Sequence, residues 1–234
     1  MTGTDATATR TPNAGPATRR ALVVRGGWEG HHPIGATERF IPVLLADGFE
    51  VTVAEDLAVY DDASAVAGFD LVVHCWSGGA LTLEQEANLV AAVRAGTGFA
   101  GWHGGVIGTN VANAAYLRMV GGRFLYHPEG FQDYTVHLGD EPARDGELIA
   151  GLDDFDVTTE QYWVFSDAWN TVLATSVFPA DSDGNGPVEM PVTWTRRWGD
   201  GRVFVCTLGH RVEDFDVPQT AAMIERGLLW AART

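Results

Sequence analysis

The stretch Gly98-Phe99-Ala100-Gly101-Trp102-His103-Gly104-Gly105 decides how this chain is read. A short apolar run ends in an imidazole, with residues close to it on both sides too small to shield it. A continuous apolar run of this length suits a strand covered on both faces, because helices then pack against both of its sides. Working outward, the same pattern returns at Leu22-Val23-Val24, Val51-Thr52-Val53 and Leu71-Val72-Val73, separated by amphipathic stretches. That alternation predicts βαβ units around a mostly parallel sheet with helices on both faces.

The connecting segments carry their own signals. Thr82-Leu83-Glu84-Gln85 has the form of a capping box and predicts a helix with Leu83, Ala87 and Val90 on its inward stripe and Gly96 at its end. A first helix is predicted from Gly35 to Ala46, where Pro42 either kinks it or makes it start late. Between Val111 and Gly151 the pattern is irregular, with Phe131 to Leu138 predicted as a strand in an insertion over the sheet. Pro191 to Trp198 and Arg202 to Leu208 flank Gly199-Asp200-Gly201, which predicts an antiparallel hairpin near the C-terminus. A last helix follows, with Asp216 as cap, Pro218 in the first turn, and Ile224, Leu228 and Ala231 facing inward.

Composition bounds the function. The chain has 234 residues, 46% hydrophobic and 20% charged, which suits a soluble globular protein. A formal charge of −16 repels polyanions and argues against nucleic acid or anionic membrane as partners. No window approaches the roughly 20 consecutive apolar residues that a spanning helix needs. Residues 1–20, MTGTDATATRTPNAGPATRR, lack the apolar stretch of a secretory signal and are expected to be a disordered tail. Residues 21–234 are expected to form a single α/β domain. Cys75 and Cys206 lie inside apolar runs without metal-type spacing, so reduced thiols in a cytoplasmic protein are expected.

In an open α/β sheet, ligands bind outside the carboxyl ends of the parallel strands, where the loops share one edge. At those positions stand Gly26-Gly27-Trp28-Glu29-Gly30-His31-His32, His74-Cys75-Trp76-Ser77-Gly78-Gly79 and Gly101-Trp102-His103-Gly104-Gly105, and the last hairpin strand runs into Gly209-His210. Any one histidine here could be structural, but their shared position predicts a pocket. Glycine lets backbone approach a ligand, and tryptophan faces suit sugar rings or other flat, partly apolar groups. Gly26-Gly27 lacks the G-x-G-x-x-G spacing of a dinucleotide site, and Cys75 reads as a small buried residue rather than a nucleophile.

The ordered series Gly101-Trp102-His103-Gly104-Gly105, Thr159-Glu160-Gln161-Tyr162, Asn170 to Ala174, Met190 to Trp194, Gly199 to Phe204 and Leu208-Gly209-His210 resembles the ThuA-like, or trehalose-utilisation, family over about Leu22 to Arg233. The resemblance implies a flavodoxin-like fold of the class I glutamine amidotransferase type. In those enzymes a G-x-C-x-G elbow presents a nucleophilic cysteine. Here Gly101, His103 and Gly105 keep the spacing with histidine in the cysteine's place. Imidazole at His103 cannot form the thioester of glutamine hydrolysis, so glutaminase activity is not expected.

The resemblance further implies a substrate among sugars, including disaccharides such as trehalose and 3-keto derivatives made by a partner dehydrogenase. His103 and His210 then serve as general base and acid, with Glu160 as the carboxylate beside them, in an isomerase, lyase or hydrolase. Trp28, His32, Trp76, Trp102, Gly104 and Tyr162 are the expected substrate-binding residues. His31 and His127 are further candidates, whereas His137 is expected to face solvent or pair locally, and Asp153, Asp154 and Asp156 to form a solvated loop. His103, His210 and Glu160 could instead hold a divalent metal in a metal-dependent hydrolase. A third reading is a non-catalytic carbohydrate-binding protein. A homo-oligomer is compatible with each.

Overall fold

In the computed structural model, which describes residues 18–139 and 145–233, the strands in chain order are β1 (Arg19–Gly27), β2 (Phe49–Ala54), β3 (Leu71–Ser77), β4 (Gly98–Trp102), β5 (Gly122–Tyr126), β6 (Gln132–Leu138), β7 (Phe155–Thr159), β8 (Trp163–Ser166), β9 (Thr171–Phe178), β10 (Val188–Trp198) and β11 (Gly201–Cys206). The main sheet runs β2-β1-β3-β4-β11-β10-β9-β6-β7, and β5 pairs with β8 in a small separate sheet. The first five strands in this order are mutually parallel. The order 2-1-3-4 followed by β11 is the flavodoxin-like order expected from the sequence, with β11 as the fifth parallel strand. The hairpin forms as expected, turning at Gly199-Asp200.

Beyond β10 the sheet continues antiparallel through β9, β6 and β7. The segment expected as a strand over the sheet is therefore a strand within it: β6 pairs with both β7 and β9. Its part of the sheet is half-buried rather than covered on both faces, which is why its pattern is irregular.

Two apolar layers sandwich the parallel strands. On one face Phe40, Trp102, Phe215, Ile224 and Leu228 pack together; on the other, Leu22, Leu89, Phe99, Tyr116 and Trp194. Each such side chain taken fully out of water stabilises the fold by about 1.5–3 kcal/mol.

The capping box forms at Thr82: its hydroxyl accepts from the Gln85 amide at 3.1 Å, and the Gln85 side chain accepts from the Thr82 amide at 3.0 Å. The inward stripe differs from expectation. Leu83 and Ala87 are exposed, and the buried face carries Gln85, Glu86, Leu89, Val90 and Val93. Glu86 is buried because its carboxylate accepts from the Tyr116 amide and the Asn113 side chain.

Three other boundaries shift. The first helix divides into Pro33–Glu38 and Ile41–Ala46, with Pro42 in the first turn of the second, where its missing N–H costs nothing. Helix Pro218–Ala231 is preceded by Val217, and Asp216 belongs to the 3-10 turn before it. Strand β1 begins at Arg19, inside the span expected as a tail, because Arg19 pairs with Asp47 and the Arg20 amide donates to Asp70 at 2.8 Å. Residues 1–17 of that tail lie outside the described residues.

Candidate active site

The site begins at the end of β4. Strand residues Gly98–Trp102 are all buried, and the chain turns directly into the short helix Gly104–Ile107. At the turn His103 has φ 50° and ψ −146°, a region that non-glycine residues seldom occupy. This is the sharp strand-to-helix elbow that presents a side chain above the sheet. Its backbone costs about 1–3 kcal/mol and persists because the surroundings fix it. Close packing on both sides requires glycine: a Cβ on Gly101 would lie 2.5 Å from the His74 carbonyl oxygen, and one on Gly104 would overlap the His31 imidazole.

His103 is buried and held at both ring nitrogens. Nδ1 lies 2.7 Å from the Thr207 carbonyl oxygen, which only accepts, so Nδ1 carries the proton and donates. In the neutral ring Nε2 is therefore a bare acceptor. It faces the Tyr162 hydroxyl at 2.8 Å, Glu160 Oε2 at 3.1 Å and His210 Nδ1 at 3.3 Å. The Tyr162 ring stacks on the imidazole with centroids 4.1 Å apart. His210 Nδ1 is also 3.1 Å from Glu160 Oε2, while Glu160 Oε1 lies 3.4 Å from His127 Nε2.

His31 completes the group. Its Nδ1 is 2.6 Å from the Ser77 hydroxyl at the end of β3, and its ring meets those of His103 and His210 edge-on at 4.7 and 5.2 Å. One donor atom from each of His31, His103, Glu160 and His210 lies within 4.8 Å of the others. These donors come from the loops after β1, β4, β7 and β11. They meet because the parallel strands deliver three of them to one edge and the antiparallel half brings the fourth across.

Burial disfavours charge on His31 and His103, and the neighbouring imidazoles favour it on Glu160. Burial, with the neighbouring imidazoles His103 and His210 adding to it, pushes His31 down to about 3. Burial also lowers His103, against the raising influence of Glu160 and the Thr207 carbonyl. At Glu160 burial alone would raise the carboxyl, but hydrogen bonds and charge from His103 and His210 outweigh it and hold the group below the usual carboxylate range.

The structure brings together His103, His210, Glu160 and Tyr162. Trp28 stands at the rim, 58% exposed, with its ring 4.7 Å from His31 and 6.4 Å from His210. Phe131, missed in the sequence, flanks His210 from 5.4 Å, with the Arg211 guanidinium over its ring. His127, a lesser candidate, reaches Glu160.

Other expected residues lie elsewhere. Trp102 is a core residue packed against Phe40 and Phe215, because alternation along β4 turns it under the sheet. Trp76 packs beneath Gly26, on the face opposite to Ser77. His32 is exposed with φ 46°, joining a 3-10 turn to a helix, so it is His31, one residue earlier, that faces the cluster. Gly104 makes room for His31. His137 pairs with Asp154 at 2.8 Å on the surface, as expected. Cys75 and Cys206 are buried free thiols. A separate cavity of about 660 Å³ adjoins these loops, lined by Tyr134, Thr159, Leu208, Arg211 and Asp214, with no residue of the cluster.

Among the described residues no helix is long and apolar enough to cross a membrane. A family model described as ThuA, trehalose utilisation, matches residues 20–231. Among solved structures, a thua-like protein from Bacteroides uniformis superposes with a TM-score of 0.75 at 17% identity, covering 95% of each chain. A thua-like protein from Parabacteroides merdae gives 0.72 at 17% identity, covering 91% of this chain and 89% of its own. A cytoplasmic protein from Salmonella typhimurium gives 0.67 at 12% identity, covering 92% of this chain and all of its own. At these identities the likeness shows the fold. No curated protein matches the chain.

Proposed function

The chain belongs to the ThuA, or trehalose utilisation, family, and on that premise we propose that it is a sugar-metabolism enzyme acting on a sugar or 3-keto-sugar, without glutaminase activity. The observation that carries this reading is the convergence of His103, Glu160 and His210 within 3.3 Å at the elbow, under a rim of exposed aromatics. A keto group acidifies the C–H beside it, and an imidazole of the His103–His210 pair takes that proton, with the Glu160 carboxylate stabilising the imidazolium formed. The C–H electrons form the enolate; where a glycosidic oxygen lies β to the ketone, they expel it, and the imidazolium returns its proton to the leaving oxygen. Isomerisation and epimerisation share the first step. Trp28 and Phe131 offer faces on which a sugar ring can lie.

The keto-sugar would come from a dehydrogenase, and we place the enzyme in the cytoplasm, where two unpaired thiols are stable. The test is incubation of the whole chain with disaccharides and their 3-keto derivatives in D2O, followed by mass spectrometry and NMR. Consumption of a keto-sugar or deuterium uptake next to its ketone is expected, and Glu160→Gln should abolish it. Saturable binding with neither change would overturn the reading in favour of a carbohydrate-binding protein.

A further inference from the structure

We propose that His31, His103, His210 and Glu160 bind one divalent first-row transition metal ion, the first three through ring nitrogens and the last through its carboxylate. The proposal rests on the pocket being the reactive one and deepens that reading by naming its cofactor. The distances carry it. Imidazole nitrogens and carboxylate oxygens bind such ions at about 2.0–2.2 Å, so adjacent ligands at tetrahedral or octahedral angles stand about 3.0–3.4 Å apart. The separations Glu160–His103, Glu160–His210 and His103–His210 are 3.1, 3.1 and 3.3 Å. His31 brings its donor within 4.8 Å of the other three, and opposite vertices of an octahedron are about 4.2 Å apart. The His31 ring, half-buried on a surface turn, closes the remaining distance by moving toward the other three.

The surroundings of the ligands point the same way. Metal-binding histidines donate their second N–H to a fixed acceptor, which sets the tautomer and aims the lone pair. His103 does so to the Thr207 carbonyl at 2.7 Å, and His31 is held through Nδ1 by Ser77 at 2.6 Å. Two acceptors, the bare Nε2 of His103 and a carboxylate oxygen of Glu160, stand 3.1 Å apart, and a cation between them would suit both.

The donor set contains no thiolate and three imidazoles, which favours Zn2+, Mn2+, Fe2+ or Co2+ over Ca2+ or Mg2+. Coordination uses the His103 lone pair that Tyr162 now occupies, and frees that hydroxyl to hydrogen-bond whatever the metal holds. The side toward Trp28 and Phe131 stays open for water or a sugar carbonyl. A bound metal would lower the pKa of water held on it and polarise a sugar carbonyl, and the ligating imidazoles would then no longer take the proton themselves.

The experiment uses the whole chain, purified without chelator and again after stripping with EDTA. Metal content is measured by mass spectrometry, and binding of Zn2+, Mn2+ and Co2+ by calorimetry. One ion per chain is expected, with Co2+ giving visible ligand-field bands. His31→Ala, on an exposed turn, and Glu160→Gln, close in size, should each weaken binding at least tenfold and alter those bands while the circular dichroism stays native. Absence of saturable binding for all three ions, or binding unaltered in both variants, overturns the proposal. The two readings fail separately. Tight metal binding without sugar turnover sinks the sugar assignment alone, and turnover undiminished by stripping sinks the metal alone.

Discussion

Replacing Gly104 by alanine tests whether His31 belongs to the site. The added Cβ would stand 2.7 Å from His31 Nδ1 and 3.2 Å from Nε2, overlapping the ring carbon between them. Ordinary contact between such atoms is about 3.5–4.0 Å, so the ring must move by about 1 Å or more. That movement breaks its 2.6 Å contact with Ser77. The backbone itself loses nothing, because Gly104 opens a helix and alanine is the better helix former by up to about 1 kcal/mol. Global stability in a denaturant titration should therefore change by no more than about 1 kcal/mol. A group misplaced by about 1 Å costs on the order of a hundredfold in rate, or about 2.7 kcal/mol of transition-state stabilisation. The assay is kcat/KM on the accepted sugar, measured for Gly104→Ala, His31→Ala and the double variant. If the alanine acts through His31, the double variant is no worse than His31→Ala alone. Wild-type kcat/KM in Gly104→Ala, or strictly additive losses, would refute the reasoning.

Three other outcomes follow from buried or rim groups. His74 is fully buried, hydrogen-bonded to Tyr60 at 2.8 Å, and burial pushes it down to about 3. Its folded value lies below the unfolded 6.5, so the unfolded chain takes up the proton first: the stability is complete above about pH 6.5 and lost as pH falls toward 3. Between pH 7 and 5 this amounts to about 2 kcal/mol, and the pH slope of urea unfolding should be correspondingly flatter in His74→Gln. Burial raises the Cys75 and Cys206 thiols to about 12 and about 11, so a thiol reagent at pH 8 should modify neither until the protein unfolds; rapid labelling of the native chain would contradict their placement. Trp28→Ala should raise KM for the sugar about tenfold, roughly the 1–2 kcal/mol of a stacked ring, with the melting temperature unmoved because the side chain is mostly exposed. An unchanged KM would remove Trp28 from the sugar-binding surface.

Much of the parallel half was legible because its signals are local. Continuous apolar runs, the Thr82 capping box and the Gly199-Asp200 turn depend on neighbours in sequence. Strand ends in such a sheet share one edge, which is why the sequence puts His103 and His210 on the same edge. The antiparallel half was not legible in this way. β6 pairs with β9 and β7, and nothing in Gln132–Leu138 itself specifies those partners. Side-chain direction was equally hidden: Leu83 faces water, Trp102 faces the core, and His31 rather than His32 faces the site.

The sequence by itself determined the parallel α/β architecture, an imidazole at the turn after β4, and the shared edge on which polar residues collect. Those follow from periodicity, turn chemistry and residue identity, which act over a few residues. Only the tertiary structure decided that Glu160, 57 residues from His103, and His210, 107 residues from it, close on one point with His31 as a fourth member. Which donors meet depends on strand order and on a half-turn of the chain at His31-His32, and neither is written in the local pattern.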